Sequence, residues 1–189
     1  KCYDAYCRIF ARCGIPEVAV VKSDSGMMGG NISHEYMLLT PAGEDSIAIC
    51  PECGYSANVE AAESIVENEN KLPKEEMREV ETPGVGTIED LCEFLNIPAE
   101  NTCKAVVYQR NEDDTFVVAF IRGDLDINEA KLTKVVGCDI HPADIVDDSV
   151  LTAGFIGPVG ISDKVTVFFD SSLKGIDYLV TGANKVDTH

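Results

Sequence analysis

Basic residues are scarce. The 189 residues carry 15 Lys and Arg against 33 Asp and Glu, a formal charge of −18. That shortage argues against a free-standing nucleic-acid binder, because phosphate neutralisation needs clustered Lys and Arg. No apolar run approaches the roughly 18 residues of a membrane span, and no charged, apolar, small-residue leader opens the sequence. A membrane partner is therefore not expected. The first residue is Lys1 and not Met, which reads as a piece of something longer. Phosphate-cradle motifs are also missing. The loop Asp24-Ser25-Gly26-Met27-Met28-Gly29-Gly30 has neither GxGxxG nor GxxxxGK[ST] spacing, and taken alone is a turn between strands. No cysteine–histidine or serine–histidine pair stands out as a nucleophile.

What is present describes an acidic globular protein. Hydrophobic residues make up 45% and charged residues 25%, which excludes wholesale disorder and allows a real core. The length suits one large domain or two small ones. Eight cysteines, at 2, 7, 13, 50, 53, 92, 103 and 138, are too dilute for a disulfide scaffold. Several sit where a small apolar residue would serve, as Cys92 does in Leu91-Cys92-Glu93-Phe94-Leu95, and buried free thiols behave that way. A reducing cytoplasm is the expected setting.

Hydrophobic spacing predicts a helix over 1–13, where Tyr3, Tyr6, Phe10 and Cys13 recur at three and four residues. Strands are expected over 17–22, 35–39 and 46–50. Residues 52–100 hold 13 acidic and three basic residues, a solvated exterior and linker, with a helix over 58–67. Thr87 and Asp90 form a capping-box-like start for a helix over 88–95. Residues 103–109 and 116–121 read as a hairpin across Asn111-Glu112-Asp113-Asp114. Helices over 128–136 and 142–151 and strands over 164–170 and 178–180 complete a mixed α+β reading, a largely antiparallel sheet with flanking helices. The expected divisions are 1–50, an acidic connector over 51–81, and a domain over 82–189.

Four features invite chemistry, and each has a plainer reading beside it. Cys50-Pro51-Glu52-Cys53-Gly54 is a knuckle-type CxxC, but zinc usually takes four ligands and no second pair exists. No metal site is assigned. A turn with two incidental thiols is the simpler reading, and coordination by distant residues or a partner chain is the other. Lys104 opens an apolar strand, where a lysine usually just faces solvent. Gly154-Phe155-Ile156-Gly157-Pro158 is a turn whose backbone N–H groups are able to approach an oxyanion. Asp170 precedes Ser171-Ser172-Leu173 and suits a helix cap.

Taken together, these segments resemble the bacterial prolyl-tRNA synthetases. Asp24-Ser25-Gly26, Gly29-Gly30 and Ser33-His34-Glu35-Tyr36-Met37 are similar to their class II core. Tyr55 to Glu60, Thr82-Pro83-Gly84, Thr102-Cys103-Lys104, Arg122-Gly123-Asp124 with Asn128-Glu129, Gly154 to Pro158, and Gly182-Ala183-Asn184 with His189 are similar to the insertion domain, a member of the YbaK-like editing fold. Two departures are visible. The family commonly has Thr-Val-Lys at 102–104, and an Asp-Gly pair before the closing histidine, where this chain has Lys185-Val186-Asp187-Thr188.

The resemblance implies that 1–50 is a fragment of the synthetase core and 82–189 the editing domain. It implies hydrolysis of alanine mischarged on proline tRNA by water attack. Lys104 would anchor the terminal adenosine's phosphate or the reacting end, and the N–H groups of Gly154 to Gly157 would line the carbonyl. Phe155, Ile156, Pro158 and His189 would shape the substrate pocket, and Asp170 would pair with the substrate ammonium or simply cap its helix. Editing would need no cofactor, whereas ATP and Mg2+ would serve only the full-length parent. The implied partners are the alanine-bearing acceptor end of the tRNA, the remainder of the synthetase chain, and a second parent subunit in a homodimer. Two other readings stand beside this one: aminoacylation by the parent, and a non-catalytic binding module of the same fold. As the last residue, His189 is expected to fray.

Overall fold

In the computed structural model the described residues are 1–26, 30, 32–68, 72–73, 75–143 and 150–189. They fall into two units, Lys1–Ile65 and Val66–His189.

The first unit opens with helix α1 (Cys2–Arg12), followed by strands β1 (Val18–Ser23), β2 (Ser33–Leu38), β3 (Ile47–Ile49) and β4 (Ser56–Asn58). The sheet order is β2-β1-β4-β3, and β1 pairs antiparallel with β2 from Val18↔Leu38 to Ser23↔Ser33. Tyr6 and Phe10 of α1 lie against the Tyr36 ring, with centroids 5.3 and 5.4 Å apart. Residues 51–58 therefore belong to this sheet through the β3–β4 hairpin. The expected helix over 58–67 does not form. Asn58 is buried at the end of β4. Its Oδ1 accepts from the Glu60 N–H at 3.2 Å, a side-chain turn that competes with a helical start.

The second unit contains α2 (Ile88–Leu95), β5 (Cys103–Arg110), β6 (Phe116–Arg122), α3 (Glu129–Val136), β7 (Ile140–Pro142) and β8 (Thr166–Phe169). Sheet order is β7-β5-β6-β8, antiparallel except for the β6–β8 pair. β6 is one of two interior strands and is buried on both faces. Val118 and Phe120 face a core with Cys103, Leu151, Ile156 and Val165. Val117 and Ala119 face the opposite cluster, with Tyr108 and Leu132. Burying a side chain such as Phe120 contributes about 1.5–3 kcal/mol, so this alternation fixes the register of the strand.

Both helices of this unit begin as their sequences predict. Thr87 Oγ1 accepts from the Asp90 N–H, and Asn128 Oδ1 from the Lys131 N–H, each at 3.1 Å. The expected strand over 178–180 reduces to one parallel bridge, Thr102↔Val180. The expected helix over 142–151 lies mostly outside the described residues, and Pro142 itself ends β7. Among the described residues, no helix is long and apolar enough to cross a membrane.

Candidate active site

A cavity of about 220 Å³ lies in the second unit, between the start of α2, the start of β5 and the loop 154–158. Lys104, Gly154, Ile156 and His189 line it, together with Gly182 and, from α2, Ile88 and Leu91. Residues more than eighty positions apart thus meet around one space.

The beginning of β5 is held by a cluster of buried groups. Thr102 is fully buried, and its Oγ1 donates to the Ala99 carbonyl at 2.9 Å while the Gly123 N–H donates to the Thr102 carbonyl at 2.9 Å. A Cβ on Gly123 would overlap Thr102 Oγ1, so the residue between Arg122 and Asp124 has to be glycine. Arg122 and Asp124 form a two-pronged ion pair at 2.6 and 2.7 Å. That pairing holds the Asp124 carboxyl below the usual range. Lys104 leaves the strand end one quarter exposed, and its Nζ meets Asp126 at 2.8 Å, on a carboxylate almost wholly in solvent.

Asn184 organises the loop 154–158. Its backbone N–H donates to the Phe155 carbonyl at 2.8 Å, and its side chain bonds both the N–H and the carbonyl of Gly157, each at 3.0 Å. Gly157 and Gly182 are pressed together, since a Cβ on Gly157 would overlap the Gly182 carbonyl oxygen. The Gly157 N–H is thereby engaged with Asn184, and that of Phe155 with the Thr152 carbonyl at 3.0 Å. Gly154 and Ile156 have no acceptor for their N–H groups among the described residues. Phe155, Gly157, Pro158 and Asp170 do not line the cavity. Phe155 backs it through an edge contact with the His189 ring, centroids 5.3 Å apart. Asp170 caps the turn Ser171–Leu173, accepting from the Ser172 N–H at 2.8 Å.

His189 is clasped. Its N–H and carbonyl pair with those of Val80 at 3.0 and 2.7 Å, and its Nδ1 lies 2.6 Å from Oγ1 of fully buried Thr82. Burial holds the imidazole below its ordinary value. The Thr82 contact was not legible beforehand, because 107 residues separate the two partners. Cys103 also lines the cavity, and burial pushes its thiol up to about 11. A thiol so protonated is a wall and not a nucleophile at neutral pH.

Residues 82–189 match the family profile of the aminoacyl-tRNA editing domain. The chain belongs to that family. Over its whole length it is 43% identical to a proline–tRNA ligase of Caldicellulosiruptor saccharolyticus and 44% identical to that of Caldicellulosiruptor bescii. It spans 33% of each of those proteins. A solved structure described as hypothetical protein APE2540 shares the fold at 16% identity and a TM-score of 0.52, covering 59% of this chain and 76% of that one. The matched editing domain contains every residue that lines the cavity.

Proposed function

We propose that the chain hydrolyses alanine wrongly esterified to the terminal ribose of proline tRNA. The supporting observation is a cavity lined by Lys104, by Gly154 and Ile156, whose N–H groups have no acceptor among the described residues, and by the fixed His189 ring. An aminoacyl ester is already activated, so a site that positions water and stabilises the developing oxyanion suffices. Gly154 and Ile156 supply the N–H donors for that oxyanion. Lys104 takes the phosphate of the terminal adenosine or the reacting end, and exchanges its Asp126 partner for it. His189, Ile88 and Leu91 set the room for the amino-acid side chain.

The need for such a site follows from the limits of a first pocket. Each missing methylene forfeits only about 1–3 kcal/mol of discrimination, so a proline pocket admits alanine, and a second, smaller site removes the error. This reading calls for no cofactor. It assigns the tRNA acceptor end as substrate, and the rest of a cytoplasmic, homodimeric synthetase as the setting. ATP and Mg2+ belong to the aminoacylation carried out there. The test is incubation with alanyl-tRNA(Pro) and prolyl-tRNA(Pro), following loss of each ester. Rapid loss of the alanine ester alone is expected; equal loss of both, or of neither, overturns the reading.

A further inference from the structure

The exchange with Val80 fixes the backbone of His189 but leaves the two torsions of its side chain open. The second of these is roughly two-fold in histidine, so a half-turn of the ring is the alternative to exclude. That half-turn would put the Cδ2–H edge where Nδ1 stands. The group that tells the two edges apart is the Thr82 hydroxyl, fully buried and 2.6 Å from Nδ1. Thr82 is itself held in place by the segment that leads to His189. Its N–H donates to the Asp187 carbonyl at 2.8 Å, and Asp187 Oδ1 accepts from the Gly84 N–H at 3.0 Å. Thr82 does not line the cavity, so whatever it does to a substrate passes through the ring.

A hydroxyl both donates and accepts, and the position of its proton follows from the network around it. Among the described residues Thr82 Oγ1 has no hydrogen-bond partner other than Nδ1. Leaving a buried donor unmatched is unfavourable, so Oγ1 donates and Nδ1 accepts. The ring proton then sits on Nε2, which has no acceptor among the described residues. We propose that Thr82 is a positioning residue for amino-acid selection, its hydroxyl holding His189 in one ring orientation and in the Nε2–H tautomer. The proposal rests on the editing reading above. A ring free to turn would give the cavity a yielding wall, and two methylenes are too small a difference to survive one.

Thr82→Val removes the hydroxyl at nearly constant shape, and Thr82→Ser keeps it. On alanyl- and prolyl-tRNA(Pro), the alanine-to-proline ratio of kcat/KM should fall about tenfold in Thr82→Val and hold within about twofold in Thr82→Ser. Adding Thr82→Val to His189→Ala should change that ratio no further, because the pair acts as one unit. Long-range proton–nitrogen NMR of the full chain with isotope-labelled histidine should find the His189 proton on Nε2. The signal is identified by its loss in His189→Ala. This measurement needs no tRNA, so it judges the tautomer separately from the editing reading, which fails if the parent spares the alanine ester. Should Thr82→Val not fold by circular dichroism, the tautomer and the Thr82→Ser ratio decide. An unchanged ratio in folded Thr82→Val, loss of selectivity in Thr82→Ser, a further fall in the double variant, or a proton on Nδ1 overturns the proposal.

Discussion

Asn184 grips Gly157 at both its backbone groups: its Oδ1 accepts from the Gly157 N–H and its Nδ2 donates to the Gly157 carbonyl, each at 3.0 Å. The same Nδ2 reaches the Val159 carbonyl at 2.9 Å. Asn184 itself sits at φ 57°, a left-handed conformation asparagine tolerates better than most residues. One side chain therefore does for the loop what a short strand pair would do elsewhere.

Asn184→Asp tests that grip. The carboxylate keeps an acceptor for the Gly157 N–H but sets an oxygen against two carbonyls. A loss of about 1–3 kcal/mol is expected in urea unfolding, the range for leaving such groups unsatisfied. Asn184→Gly, which suits the positive φ, should lose the three side-chain bonds without backbone strain. If both variants unfold at the parent's midpoint, the grip is not what holds the loop.

Lys104→Ala should slow alanine-ester hydrolysis about 10²-fold, the scale of losing one charge-stabilising contact. Its pair with Asp126 is 2.8 Å long, but that carboxylate is 96% exposed. Pairs of this kind contribute about 0–1 kcal/mol. Asp126→Asn should thus leave the melting temperature nearly unchanged while freeing the ammonium. Hydrolysis in Asp126→Asn should match or exceed the parent's. Deacylation at the parent's rate in Lys104→Ala would return the lysine to a solvent-facing role.

His189→Ala should begin to hydrolyse prolyl-tRNA while keeping much of its alanine activity, since removing the ring widens the cavity. Sharp rejection of proline by this variant would show that the wall lies elsewhere. The ring also sets a pH dependence. Burial depresses its pKa below 6.5 in the folded chain, so below that pH the unfolded chain takes up the proton first. Stability attached to His189 is complete above about 6.5 and declines as pH falls through the folded value. Urea midpoints measured between neutrality and mildly acidic pH should fall less steeply in His189→Ala than in the parent.

Cys103→Ala should hydrolyse the alanine ester within a few-fold of the parent, and iodoacetamide should leave the folded chain active. The thiol, raised to about 11 by burial, is protonated at neutral pH. Removing a true nucleophile costs several orders of magnitude. A collapse of that size in Cys103→Ala would make the thiol the attacking group, with water entering afterwards to hydrolyse the alanyl thioester it forms.

The elements that announced themselves in sequence are those where a local signal and the tertiary need agree. β5 and β6 are β-rich runs around a polar turn, and α2 and α3 carry their own caps in Thr87 and Asn128. The helix expected over 58–67 failed for the opposite reason. Its first residue, Asn58, is buried in β4, with Nδ2 reaching Glu35 Oε2 at 3.3 Å, and spacing along the chain carries no trace of that partner. The site divides in the same way. Lys104, Gly154, Ile156 and His189 were named from family-like motifs and do line the cavity. Gly157 was named with them, yet its N–H belongs to Asn184, a contact spanning 27 residues. Leu91 and Cys103 were not singled out as site residues, and they become walls only because the folded chain brings α2 and the start of β5 to the same cavity.

Val80 and His189 exchange both backbone hydrogen bonds, Glu81 bridges Thr188, and the Thr82 N–H donates to the Asp187 carbonyl at 2.8 Å. The segments around Val80 and His189 thus run antiparallel, side by side. The backbone that leaves Val80 travels through more than a hundred residues and returns, at His189, to hydrogen-bond contact with its starting point. The ring that bounds the cavity sits on that pairing. Any shift of that pairing would carry the imidazole with it, so the spacing of two backbone strands and the width of the cavity are set by the same few atoms.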